Sequence, residues 1–161
     1  MDEIRNFLLS PEEYLDTFWE SDELIWVDWR EYDESIIKYI NEKLPDEDKV
    51  KFSCVEIEKE RDLDIILEKD GISTTIPYAE DYTDRDTTLK SVQEYVSPKY
   101  QIRWFMGSLG SDTLAFCVFP SAQWWTIVNK KDTIFKYIFW ERLDSLPIPE
   151  CCFHFVWCQI A

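Results

Sequence analysis

The apolar positions of this chain change their period several times, and each change marks an element. Leu15, Phe18 and Trp19 recur at helical spacing behind Ser10-Pro11-Glu12-Glu13. There a hydroxyl N-cap, a proline at the first helical position and two carboxylates at the positive end of the dipole predict a helix start. Leu24-Ile25-Trp26-Val27 is a short apolar run that predicts a buried strand. Asp28 to Asp33 link it to a second helix carrying Ile36, Ile37, Ile40 and Leu44, which Pro45 ends. From Val50 to Glu58 the period is two, and Leu63 to Glu68, Lys69-Asp70-Gly71 and Ile72 to Ile76 predict a hairpin, so the stretch reads as a β-meander. Asp84-Arg85-Asp86-Thr87 opens a third helix with Leu89, Val92 and Val96 inward, closed by Ser97-Pro98. Tyr100 to Met106 and Thr113 to Phe119 predict a second apolar hairpin.

After Pro120, Ser121 is placed to cap a helix bearing Trp124, Trp125 and Val128, and Asp132 one bearing Ile134, Phe135, Ile138 and Phe139. Thr133 to Trp140 is also rich in β-formers. The segment Cys151 to Ile160 alternates Phe153, Phe155 and Trp157 with Cys152, His154, Val156 and Cys158, which predicts a strand that must be paired or covered. The order of elements predicts a single α+β domain over residues 1–161, with helices packed on a mostly antiparallel sheet.

Composition excludes several classes. With 161 residues, 45% apolar and 16% aromatic, the chain can bury about two-thirds of its unfolded surface, so it is not a disordered acidic tail. Met1-Asp2-Glu3-Ile4-Arg5-Asn6 lacks a basic segment followed by an apolar one, and no apolar run approaches the roughly 18 residues of a membrane span. A cytoplasmic protein is expected. The cysteines, Cys54, Cys117, Cys151, Cys152 and Cys158, are odd in number and mostly sit among apolar residues, which predicts reduced, buried thiols.

Charge is divided unequally. Residues 1–86 hold 27 Asp and Glu against 10 Lys and Arg, a net −17; residues 87–161 hold 6 against 7, a net +1, which together give −16. Such a field repels nucleic acid and anionic lipid and attracts cationic partners, although an acidic surface also serves simply to keep a protein dispersed.

Three arrangements could carry chemistry. Cys151, Cys152, His154 and Cys158 are soft ligand types, but four ligands from one extended segment cannot surround an ion, and buried packing is the simpler reading. Asp81, Asp84, Asp86 and Asp112 would suit Mg²⁺ if their loops met, yet Asp84 or Asp86 also fits an N-cap and Asp112 a turn. Ser111 or Cys117 would need His154 as a base, without the Gly-x-Ser-x-Gly elbow. Few glycines and no nucleotide-binding fingerprint leave no cofactor and no metal expected.

What remains is surface. Glu56, Glu58 and Glu60 alternate with Val55 and Ile57, so an extended strand through Glu60 would put them on one face, meeting either water or a cationic partner. Trp26 and Trp29 flank Asp28, and Tyr32 follows, which interleaves rings with carboxylates as interface hot spots do; Trp26, in the apolar run, equally suits the core. The predicted contacts are Asp28, Trp29, Glu31, Glu34, Glu56, Glu58 and Glu60.

Two segments, Val27-Asp28-Trp29-Arg30-Glu31-Tyr32-Asp33-Glu34 and Asp84-Arg85-Asp86-Thr87-Thr88-Leu89 with its continuation to Gly110-Ser111-Asp112-Thr113, resemble a family of small bacterial immunity proteins. These belong to polymorphic-toxin and contact-dependent growth inhibition systems, and the resemblance spans roughly residues 24–140. It implies a non-catalytic antidote that binds the toxin domain of its own strain, often a cationic nuclease, with the acidic half mimicking phosphate. The Arg-Asp and Ser-Asp-Thr patches would then be fold determinants. The alternatives are a metal-dependent phosphoesterase using Asp84, Asp86 and Asp112, or an acidic nucleic-acid mimic directed at other enzymes.

Overall fold

The computed structural model describes residues 2–79, 81–128 and 139–140. Its central feature is an antiparallel sheet of four strands in the order β1-β6-β5-β7, where β1 is Ile25–Asp28, β5 Tyr100–Phe105, β6 Thr113–Pro120 and β7 Phe139–Trp140. Because strand side chains alternate, β6 sends Leu114 and Phe116 to one face and Ala115, Cys117 and Phe119 to the other, and all five are buried. That is why β6 reads as an unbroken apolar run: each face of the sheet has its own cover.

One face is covered by α3 (Asp33–Glu42) and α4 (Arg85–Val96), with Ile36, Ile37, Ile40, Leu89 and Val92 almost fully buried. A second antiparallel sheet joins the same core: β2 (Lys51–Glu56), β3 (Leu63–Lys69) and β4 (Ile72–Thr75), in the order β2-β3-β4, which contributes Ile65 and Leu67. The other face is covered by α1 (Asp2–Leu9), α2 (Pro11–Trp19) and Trp124 of α5 (Ser121–Val128). There Phe7 stacks on Phe18 at 4.4 Å, and both meet the edge of Phe105. The α+β class, with helices on antiparallel sheets, is as expected.

Side-chain amides join the pieces. Asn41 of α3 accepts from the Val50 N–H at 2.7 Å and donates to the Val50 carbonyl at 2.9 Å, so it pairs with the start of β2 as a strand residue would. Gln93 of α4 accepts from the Ile102 N–H at 2.6 Å and donates to the Tyr100 carbonyl at 3.2 Å, serving β5 in the same way. In the β3–β4 hairpin Lys69 pairs with Ile72, so the loop is Asp70-Gly71, whose φ values of 53° and 79° are those of a type I′ turn.

Several expectations are corrected. Helix α1 was not read from the pattern. The Ser10 hydroxyl does not cap α2, whose first turn relies on backbone bonds to the Ser10 carbonyl. Ser121 opens α5, but its hydroxyl donates to the Pro98 carbonyl and takes a bond from Gln101. Phe139, expected on a helix, lies on β7 because the edge of β5 offers it a ladder; residues 132–138 of that helix lie outside the described residues. Cys117 is buried but Cys54 is exposed, against a uniformly buried set. Cys151, Cys152, His154 and Cys158, with the strand drawn through them, lie outside the described residues.

Candidate functional site: an acidic, aromatic surface

The polypeptide leaves the sheet at the end of β1, and the turn that follows is tied down by Asp28. Its Oδ1 accepts from the Arg30 N–H at 2.8 Å, and its Oδ2 from the Thr113 hydroxyl at 3.3 Å across the β1–β6 ladder. Predicted as a contact, Asp28 therefore acts first as the residue that fixes the turn. The turn puts Trp29 outside, 57% exposed, with the Arg30 guanidinium 4.5 Å from its ring centre, and Tyr32 outside at 74%. Trp26, three residues earlier and within β1, is half-buried and packs on Trp19 at 4.9 Å, so the core claims it. Sequence adjacency did not separate the two tryptophans; the end of β1 does.

Glu31 and Glu34 are half-buried beside these rings, and Glu31 accepts from the Tyr39 hydroxyl. Loss of water around Tyr39, then the nearby charge and hydrogen bond of Glu31, raise the Tyr39 pKa. Beneath lies Asp33, the first residue of α3 and 6% exposed. It accepts from the Thr88 hydroxyl on α4 and is hydrogen-bonded by Thr83, while Tyr78 and Thr88 share a bond at 2.7 Å. Burial raises the Asp33 pKa; the two threonine bonds oppose the shift without cancelling it, and the charges of Asp84 and Glu34 add to it. This buried network joins the amino-terminal ends of α3 and α4. It also draws in the 81–84 loop, whose Tyr82 is 60% exposed. Tyr82 was missed in the sequence, where nothing distinguishes it from a loop residue.

The three glutamates predicted to share a strand face do not. β2 ends at Glu56, and Glu58 and Glu60 lie in the turn that returns the chain to β3. The turn is closed by the Ile57 N–H bond to the Asp62 carbonyl at 3.0 Å, with Asp62 at φ 55°. Arg61 holds it in place, donating to Asp64 at 2.6 and 3.0 Å and to the Ala79 carbonyl at 2.8 Å. All three glutamates are exposed, on two different elements.

Of the four carboxylates considered for Mg²⁺, Asp84 and Asp86 have other work, and Asp81 and Asp112 are exposed. Asp84 caps α4 by accepting from the Thr87 N–H at 2.8 Å, as one of its two predicted roles required, and Asp86 lies 3.6 Å from Arg85. Among the described residues no three of His, Cys, Asp and Glu are grouped to hold a metal ion. Cys117 is enclosed within the sheet, and burial drives its thiol pKa strongly upward, away from a nucleophilic thiolate. A cleft of about 720 Å³ contains Lys49, Lys51, Lys69 and Lys99, but Lys69 donates to the Tyr95 and Ser97 carbonyls and Lys99 pairs with Asp48. Its lysines mainly fasten neighbouring elements.

Comparison of the chain with family models, with curated proteins and with solved structures finds no match. Among the described residues no helix is long and apolar enough to cross a membrane.

Proposed function

We propose that this chain is an immunity protein: it binds a cationic toxin domain in a stoichiometric complex through the surface around Trp29 and Tyr32, and performs no catalysis of its own. The observation that carries this reading is the exposure of two large rings, 57% and 74%, on a turn braced by Asp28 and set in the half of the chain at net −17. Exposed rings at such density stabilise little in the free protein, whereas in a complex they anchor and desolvate a partner. Glu31 and Glu34 at their rim would select lysine and arginine, and the wider field would speed encounter.

The test is co-expression with the product of the adjoining upstream reading frame, followed by association kinetics at rising ionic strength. A one-to-one complex is expected, whose on-rate falls on the order of tenfold or more between about 0.05 and 0.5 M salt. A salt-independent on-rate would remove the acidic half from the interface, and failure to co-purify would remove the antidote role.

A further inference from the structure

Strand β2 is an edge. In the order β2-β3-β4, one side of β2 pairs with β3 and, among the described residues, no strand pairs with the other. Which backbone groups lie open follows from the ladder. Ile76 donates its N–H to the Ile65 carbonyl, so residues 65, 67 and 69 of β3 serve β4 and residues 64, 66 and 68 serve β2. Their partners in register are Val55, Ser53 and Lys51. The Ile57 bond to Asp62 continues the same alternation. The N–H and C=O groups of Phe52, Cys54 and Glu56 therefore point out of the sheet. Tyr95 closes the Lys51 end, donating to the Glu68 carbonyl at 2.7 Å, and the turn at Ile57 closes the other.

Edge strands are normally protected by proline, a bulge or a covering segment, because an open row of donors and acceptors recruits another strand. β2 has no proline, its register with β3 is unbroken over six residues, and Cys54 and Val55 are exposed. Its surroundings select what can add. Glu56 stands at one end of the strand and Lys51 at the other, Glu58 and Glu60 flank Lys59 on the adjoining turn, and Glu34 of α3 is near enough to Cys54 to act on it electrostatically, with Lys38 as a counter-charge, so carboxylates are in excess at the Cys54–Glu56 end. Glu34 follows Tyr32 by two residues in the chain. A second copy of the chain would bring another −16 to the contact, which opposes self-pairing.

We infer that β2 is a docking edge that takes an extended, lysine- or arginine-bearing segment of the partner as a fourth strand, paired to the backbone of Phe52, Cys54 and Glu56. This rests on the function proposed above and specifies how the partner is held: backbone bonds supply register, and Glu34, Glu56 and Glu58 select cationic side chains.

The test uses the full chain and two synthetic peptides of equal charge, Ac-Lys-Val-Lys-Val-Lys-Val-Lys-NH₂ and a version with proline at two of the valines, which cannot complete a ladder. Amide hydrogen exchange is followed at Phe52, Cys54 and Glu56. The strand-forming peptide is expected to slow these three amides on the order of tenfold or more, the proline peptide to leave them unchanged. Cys54→Pro removes an outward N–H without touching the β3 ladder and is expected to abolish the protection. Thermal melting, with Val55→Pro as the variant that does break the ladder, separates this from misfolding. Three results would overturn the inference: equal protection by both peptides, unchanged exchange at saturating peptide, or a homodimer in sedimentation that Cys54→Pro dissolves. If exchange at β2 stays unchanged while both peptides shift the Trp29 indole N–H resonance, assigned by its loss in Trp29→Phe, the docking edge is refuted and the cationic-partner surface survives.

Discussion

The two sheets of this protein are built from the same kind of strand and put to opposite uses. In the four-stranded sheet, β6 is buried on both faces, and its partners β1 and β5 carry Val27, Ile102 and Phe105 at or near zero exposure. In the three-stranded sheet only one face is covered: Ile65 and Leu67 are buried, whereas every residue of β4 and all but one of β2 are exposed. The first sheet holds the fold together. The second is anchored by the inner side of β3, by Asn41 and by the bonds that Lys69 and Glu68 make with the end of α4, while the outer sides of β2 and β4 are exposed.

The largest effect should therefore come from the central sheet. Phe105 lies where Phe7, Phe18 and Trp19 converge, within 5.8 Å of each ring centre. Phe105→Ala leaves a cavity that these rigid neighbours cannot fill, and a loss of about 3–5 kcal/mol is expected by denaturant titration. A truncation to alanine in the second sheet, Ile72→Ala, removes fewer carbons from a side chain already 67% exposed and should cost less than about 0.5 kcal/mol. Similar losses at the two positions would refute this difference between the sheets.

Binding should reverse the ranking. Trp29→Ala is expected to leave stability within about 0.5 kcal/mol of the parent, since the ring is mostly in water. Affinity for the proposed cationic partner should fall by about 2 kcal/mol, roughly thirtyfold, as measured by calorimetry. Phe105→Ala, if still folded at low temperature, should bind normally.

The hairpin turn gives a smaller effect. Gly71 sits at φ 79° with open space where a Cβ would go, so the cost of Gly71→Ala is conformational and not steric. A loss of about 1 kcal/mol is expected in chemical denaturation. Asp70, also at positive φ, is of a type that tolerates that region, and Asp70→Asn should be close to neutral.

Much of this frame was legible in the sequence, for reasons the two sheets make plain. The helices announced themselves where a cap and a period coincided, as at Asp84 with Leu89, Val92 and Val96. The hairpin announced itself because Asp-Gly is the chemistry of a type I′ turn. Helix α1 was silent: its eight residues carry no capping signal, and among its described side chains Ile4 and Phe7 are the buried anchors. The turn at 57–62 was silent too, since its positive-φ residue is Asp62 and not a glycine, and its brace is Arg61 reaching Ala79, a tertiary contact. That is how three glutamates with perfect alternation came to be drawn as one face. At the surface, the exposure of Trp29 has a local reason: it is the first residue past the end of β1, where alternation no longer assigns a side chain to the core.

The smallest effect concerns sign more than size, and it sits where the exposed surface joins the core. Asp33 is buried, and loss of water raises its carboxyl pKa despite the bonds from Thr83 and Thr88. A carboxyl whose folded pKa lies above its unfolded value keeps its proton in the folded state while the unfolded chain has already released it. Its favourable contribution is therefore complete below the ordinary carboxylate range, near 3.8, and is lost as pH rises through the raised value. Asp48 behaves in the opposite sense: the hydrogen bonds from Lys99 and then Tyr100 lower its pKa, so its contribution fades as pH falls. It belongs to a separate contact, between Lys99, Tyr100 and the turn before β2, so it is common to parent and variant and cancels in their difference. Asn in place of Asp33 can still accept from Thr88 and does not ionise. Asp33→Asn should thus match the parent near pH 3.5 and gain on it as pH rises toward 7, read as the difference of the two urea midpoints across that range. A difference that shrinks with rising pH would mean that the threonine bonds outweigh burial, and that Asp33 stabilises the junction of α3 and α4 as a charge.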